Sequence, residues 1–96
     1  MNGLKLVIIG QSNCTPCKAM KNQVIARINE LERMETSFSY IDLDELKDRE
    51  EFIEQNNLMC TPTTWIQKAG ETVKEFTGYV DIDSLFETIL EAKETV

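Results

Sequence analysis

The run Leu4-Lys5-Leu6-Val7-Ile8-Ile9, closed by Gly10, limits the architecture more than any other stretch. It is short, rich in β-branched residues and apolar at almost every position, the pattern of a strand covered on both faces. Such a strand sits in the middle of a sheet and needs helices or further strands on either side. After the loop Gln11-Ser12-Asn13, the residues Cys17, Met20, Val24, Ile28 and Leu31 recur at steps of three and four, which predicts one helix with these on its inner face. Pro16 suits the first turn of that helix, where no backbone donor is needed. Ser37 to Asp42 predicts a second strand. A strand, helix, strand opening implies a right-handed parallel crossover.

Further along, Asp44 is a candidate cap for a helix over Glu45 to Asn56, anchored by Leu46, Phe52 and Ile53. Thr63 to Gln67 and Thr72 to Phe76 flank Ala69-Gly70 and predict an antiparallel hairpin. Ile82, Leu85, Phe86, Ile89 and Leu90 mark an amphipathic last helix capped by Asp81 or Asp83. The order β-α-β-α-β-β-α gives an α/β fold, a four-stranded mixed sheet covered by helices. With 96 residues, 42% of them apolar, and no linker or repeat, the expectation is one domain over residues 1–96. Phe38, Trp65, Phe76 and Phe86 are expected in its core, and the charges from Asp48 to Glu54 on a wet helix face.

The chain has no histidine. Cys-His and Ser-His-acid catalysis, HExxH metal sites and CxxCH haem attachment are therefore absent. Gly3, Gly10, Gly70 and Gly78 are too scattered for a phosphate loop or a dinucleotide fingerprint. The formal charge of −7 argues against nucleic acid or an anionic membrane as partner. Residues 1–29 nonetheless carry Lys5, Lys18, Lys21 and Arg27 and no acid, so a site near the N-terminus would be locally positive on an acidic body. The run Leu6 to Ile9 is too short for a signal-peptide core or a membrane span, and no basic leader precedes it. The expected setting is the cytoplasm, where cysteines are more often catalytic, redox-active or metal-binding than structural staples.

Cys14-Thr15-Pro16-Cys17 carries the chemistry. A CxxC can be a redox pair, half a zinc site or a coincidence. This one follows a predicted central strand and opens a helix. A thiolate at Cys14 would meet unpaired N–H groups and the positive end of the helix dipole, with Lys18 and Lys21 adding positive charge. Such a cysteine can titrate near pH 7, about 1.5 units below a free thiol. Cys17 falls on the inner stripe with Met20 and Val24. The asymmetry makes Cys14 the nucleophile that forms a mixed disulfide and Cys17 the thiol that resolves it. A structural zinc needs four ligands, whereas the chain has three cysteines, so a metal or Fe–S module would need a site shared between chains.

These residues resemble the thioredoxin family. Beside Cys-x-Pro-Cys-Lys, the chain has Thr61-Pro62-Thr63 ahead of the hairpin, then Gly70 and Gly78 eight and sixteen residues after Pro62. The resemblance covers nearly the whole chain. It implies the thioredoxin fold, a dithiol cycle with no cofactor beyond the Cys14–Cys17 disulfide, and protein disulfides as substrates. It further implies that Pro62 is a cis-proline beside the cysteines, and that Thr61 binds an extended substrate segment through its backbone. Thr15 and Pro16 would share that substrate surface. Electrons would come from a thioredoxin reductase or from glutathione, and the chain would act as a monomer.

The departures are specific. The chain begins one strand before the motif, which leaves a minimal core like that of glutaredoxins. Ile8 stands where thioredoxins place a buried acid, six residues before the first cysteine, and Asn13 where they usually have tryptophan. Proton removal from Cys17 must then rely on water or another group. Against a glutaredoxin-like, glutathione-linked electron donor, Thr15 rather than proline follows Cys14, Thr61 rather than valine precedes Pro62, and a single Gly78 is followed by Tyr79. If the fold holds, Cys60 lies near the pair at the rim of the binding surface, either as an unremarkable small residue or as a regulatory thiol open to glutathionylation. Lys18 and Lys21 either form a solvated face or steer acidic or glutathione-like partners.

Overall fold

The computed structural model describes residues 3–94; the first two and last two positions of the expected domain lie outside the described residues. Strand β1 (Leu4–Gly10) is central, as its composition requires. It pairs in parallel with β2 (Thr36–Asp42) and antiparallel with β3 (Thr63–Lys68), and β3 pairs antiparallel with β4 (Glu71–Thr77). The sheet order is β2-β1-β3-β4, a mixed four-stranded sheet of the expected kind.

Alternate residues of β1 feed two separate cores. Leu4, Leu6 and Ile8 face one side and pack with Met20, Val24, Leu31, Ile66, Leu85 and Ile89. Val7 and Ile9 face the other, against Leu43, Leu46, Phe52, Ile53 and Trp65. Helices α1 (Thr15–Ala26), α2 (Ile28–Arg33) and α4 (Ile82–Glu94) therefore cover the first face, and α3 (Arg49–Gln55) the second. Phe86 is buried, while Phe38, Trp65 and Phe76 are half-buried against these clusters.

Four local expectations are corrected. The single helix from Cys17 to Leu31 is two, because Arg27 leaves helical geometry (φ −118°, ψ 27°) and its N–H bonds back to Val24. The Arg27 guanidinium is engaged by Glu30 at 2.8 Å and Asp83 at 2.6 Å, and it lies 4.6 Å from the Phe86 ring centre. Neither glycine nor proline marks this break; tertiary contacts of one side chain make it. The helix over Glu45 to Asn56 is a 3₁₀ turn at Leu43–Glu45 followed by the shorter α3. Asp44 does not cap it, because its carboxylate turns toward the loop after β1 and accepts the Ser12 N–H at 2.8 Å. On α4, Asp81 is the cap, accepting from the Ser84 N–H at 3.3 Å, and Leu90 is exposed rather than inward.

The hairpin turns through Ala69 and Gly70, both at positive φ (53° and 83°), the geometry that strand twist favours in two-residue turns. Alanine is strained there, since a Cβ costs about 1–2 kcal/mol in the left-handed region. Asn tolerates that region, so Ala69→Asn is expected to raise stability by about 0.5–1 kcal/mol. A urea unfolding midpoint unchanged or lowered would contradict the strain.

Candidate active site

β1 and β2 end, and β3 begins, at one edge of the sheet: Gly10 is aligned with Asp42, and Ile9 with Thr63. The loop after β1, the 3₁₀ turn after β2 and the Cys60–Thr61–Pro62 segment before β3 consequently meet there. The end of β4 joins them through the Gly78 N–H, which donates to the Pro62 carbonyl at 2.8 Å.

Cys14 and Cys17 form a disulfide, S–S 2.04 Å, Cα atoms 5.2 Å apart. Cys14 occupies the N-cap of α1 in extended geometry, and its Sγ accepts the Cys17 N–H at 3.2 Å. A helix N-terminus leaves such N–H groups without intrahelical partners, and sulfur takes the place that a serine or aspartate oxygen fills at other caps. Thr15 and Pro16 follow, both exposed, with Pro16 in the first turn where it disrupts no hydrogen bond. Cys14 retains 8% of its surface; Cys17 retains none. The sulfur pair is thus reachable from solvent on the Cys14 side only.

The Thr61–Pro62 peptide bond is cis. Pro62 is buried, whereas Thr61 is half-buried and accepts at Oγ1 from Gln11 Nε2 at 3.0 Å. Gln11 Oε1 in turn accepts from Arg49 Nη2 at 2.9 Å, and Arg49 is ion-paired with Asp44. Asp44 closes the ring on Ser12, and this backbone N–H, followed by the other Ser12 and Arg49 contacts, holds its carboxyl below the usual carboxylate range. The loop ahead of Cys14 is so tied to the loop ahead of Pro62 and to α3. Gln11 and Arg49 did not stand out in the sequence, and Asp44 stood out only as a helix cap. The signal was the parallel crossover itself, which sets the loops after β1 and β2 side by side.

Cys60 is a free, exposed thiol. It opens on a cleft of about 220 Å³ shared with Gln11, Arg49, Met59 and Thr61. Lys18 is exposed. Lys21 is committed elsewhere, its Nζ lying 4.6 Å from the centre of the Tyr40 ring. Among the described residues, no three cysteine or acidic side chains converge to hold a metal ion, and no helix is long and apolar enough to cross a membrane.

Ile8, two residues before Gly10 on β1, is fully buried. It is flanked on its own face by Tyr40 of β2 and Thr64 of β3, with which it is aligned. Thr64 Oγ1 is buried with no hydrogen-bond partner. Gly10 lets two groups approach: a Cβ there would stand 2.8 Å from Cys17 Cβ and 2.9 Å from Tyr40 Cζ, with Tyr40 Oη closer still. Burial raises the Tyr40 hydroxyl pKa above its ordinary value, and the charge of Asp42 adds to the effect.

Compared with known proteins, residues 2–93 match the family described as a thioredoxin-like domain. Among solved structures, the chain is similar to a mutant thioredoxin from Halobacterium salinarum, with 26% identity, TM-score 0.79, and coverage of 99% of this chain and 79% of that one. It is also similar to thioredoxin from Fasciola hepatica, with 28% identity, TM-score 0.77, and coverage of 94% and 81%. A third similar chain comes from a complex of ferredoxin:thioredoxin reductase and thioredoxin f2, with 20% identity, TM-score 0.75, and coverage of 96% and 79%. No curated protein matches.

Proposed function

Since the chain belongs to the thioredoxin-like domain family, we propose that it is a thioredoxin-type thiol-disulfide oxidoreductase that reduces protein disulfides. The observation that carries this reading is the disulfide at the mouth of α1, with one sulfur reachable and the other enclosed. Once reduced, Cys14 attacks a partner disulfide as thiolate. The bond from Cys14 to one partner sulfur forms as the partner's own S–S bond breaks. Cys17 then attacks Cys14, the bond to the partner breaks, and the partner leaves as a dithiol while Cys14 and Cys17 are oxidised. The N–H of Cys17 that donates to Cys14 Sγ supports the thiolate role. The Thr61 backbone beside Pro62 offers an extended partner segment strand-like hydrogen bonds, with Thr15 and Pro16 on the same surface.

The working form is a monomer in a reducing cytoplasm, needing no cofactor beyond its own disulfide. Electrons come from a thioredoxin reductase; that a similar thioredoxin chain occurs in a complex with its reductase supports this source. Thr15 after Cys14 and Thr61 before Pro62 favour it over glutathione. Two measurements test the reading. Cys17→Ser should leave a disulfide substrate covalently trapped on Cys14, and trapping on Cys60 instead would refute the assignment of the nucleophile. Turnover should be faster with a thioredoxin reductase, flavin-dependent or ferredoxin-linked, than with glutathione, and efficient turnover with glutathione alone would move the chain to the glutaredoxin-like reading.

A further inference from the structure

We propose that Tyr40 is the positioning residue for Cys17, its hydroxyl donating a hydrogen bond to the Cys17 sulfur as that sulfur becomes anionic. The inference rests on the oxidoreductase reading and deepens it. Position 8 carries an isoleucine with no exposed surface, so no acid on β1 serves the enclosed thiol. The polar group at that place comes from the neighbouring strand. Tyr40 Oη and Cys17 Cβ both press on the spot that a Gly10 side chain would fill, and the Cys17 sulfur is one bond beyond that Cβ.

Tyr40 is held in place from several sides. Its ring packs on the core beneath α1, with Lys21 Nζ 4.6 Å from the ring centre. From β1 it meets Ile8 and Gly10, neither of which carries a charge, and on its own strand the charge that acts on it is Asp42. The ionisable groups around the hydroxyl are therefore Lys21, Asp42 and, after reduction, Cys14 and Cys17. With its pKa raised, the phenol stays protonated through neutral pH and acts as a donor rather than a base. In the resolving step Tyr40 keeps its proton. The proton of Cys17 passes through water to the departing partner sulfur while the Cys17–Cys14 bond forms and the Cys14–partner bond breaks. Thr64 offers a second, buried hydroxyl, but it flanks Ile8 from β3 and is not among the atoms nearest the spot that Tyr40 Oη and Cys17 Cβ share.

The test separates the two chemical steps. Tyr40→Phe keeps the ring and removes the hydroxyl. In that variant the mixed disulfide on Cys14 should resolve roughly tenfold more slowly at pH 7, since a hydrogen bond to a charged group is lost, and the deficit should close as pH rises and Cys17 ionises unaided. Formation of the mixed disulfide, measured in a Cys17→Ser background with and without Tyr40→Phe, should not change. Thr64→Val should resolve at the unmodified rate. An unchanged resolving rate and pH profile in Tyr40→Phe would overturn the proposal, as would slowing by Thr64→Val alone. In the unmodified reduced protein, the Tyr40 Cζ NMR signal should shift as Cys17 titrates, and a signal insensitive to that titration would also overturn it. Failure of the unmodified chain to form any mixed disulfide through Cys14 would instead sink the oxidoreductase reading.

Discussion

Cys14→Ser is expected to remove disulfide reductase activity by roughly a thousandfold or more, because a serine hydroxyl is not ionised near neutral pH and forms no disulfide with the partner. The fold should survive. Serine is itself a favoured N-cap, so its oxygen can accept the Cys17 N–H that the sulfur accepts now. Relative to the oxidised protein, the variant loses the constraint of a loop only three residues long in sequence separation, about 2 kcal/mol in the chain-entropy picture. Circular dichroism should therefore show a native spectrum beside an inactive enzyme in an insulin-type reduction assay. Cys17 is enclosed, and Cys60 has no neighbouring thiol within its own stretch of chain to complete a cycle. Activity above about a tenth of the unmodified protein would mean that another sulfur carries the reaction.

The second large effect is expected at Gly10. A methyl group there collides with Tyr40 on one side and with Cys17 Cβ at 2.8 Å on the other. Neither neighbour yields easily, since Tyr40 is a stiff ring packed on the core and Cys17 is anchored in the first turn of α1 by the disulfide. Gly10→Ala should cost about 2–3 kcal/mol, the range typical of an overpacked interior. It should also separate Tyr40 from the cysteine pair and slow resolution as Tyr40→Phe does. A urea midpoint within about 0.5 kcal/mol of the unmodified protein would show that the contact relaxes freely.

Gly10 also shows what the sequence could and could not reveal. As the stop of an apolar run it was plain. Its second role, leaving room for Tyr40 and Cys17, depends on which residue of β2 lies beside Ile8, and that register is a property of the assembled sheet. The strands, the hairpin and the last helix were legible because each has its own period or turn signal. The break at Arg27 was not, because the apolar stripe runs through it: Met20, Val24, Ile28 and Leu31 keep helical spacing on both sides of the interruption. The shortened α3 was obscured by a similar cause, since Asp44 has the chemistry of a cap but binds Ser12 across the sheet edge. The cysteine pair was legible in full because both its spacing and its position after a central strand are local. Gln11 and Arg49 were not, being polar residues 38 positions apart that meet only once β1 and β2 lie in parallel.

The closed circuit through Ser12, Asp44, Arg49 and Gln11, with Thr61 joined to it by Gln11, has a mechanical meaning. Three separate pieces of chain at the sheet edge are braced into one plate. On the proposed function, a partner peptide lying across that plate would surrender its own freedom while the host has little left to give up, so more of the contact energy would go into grip.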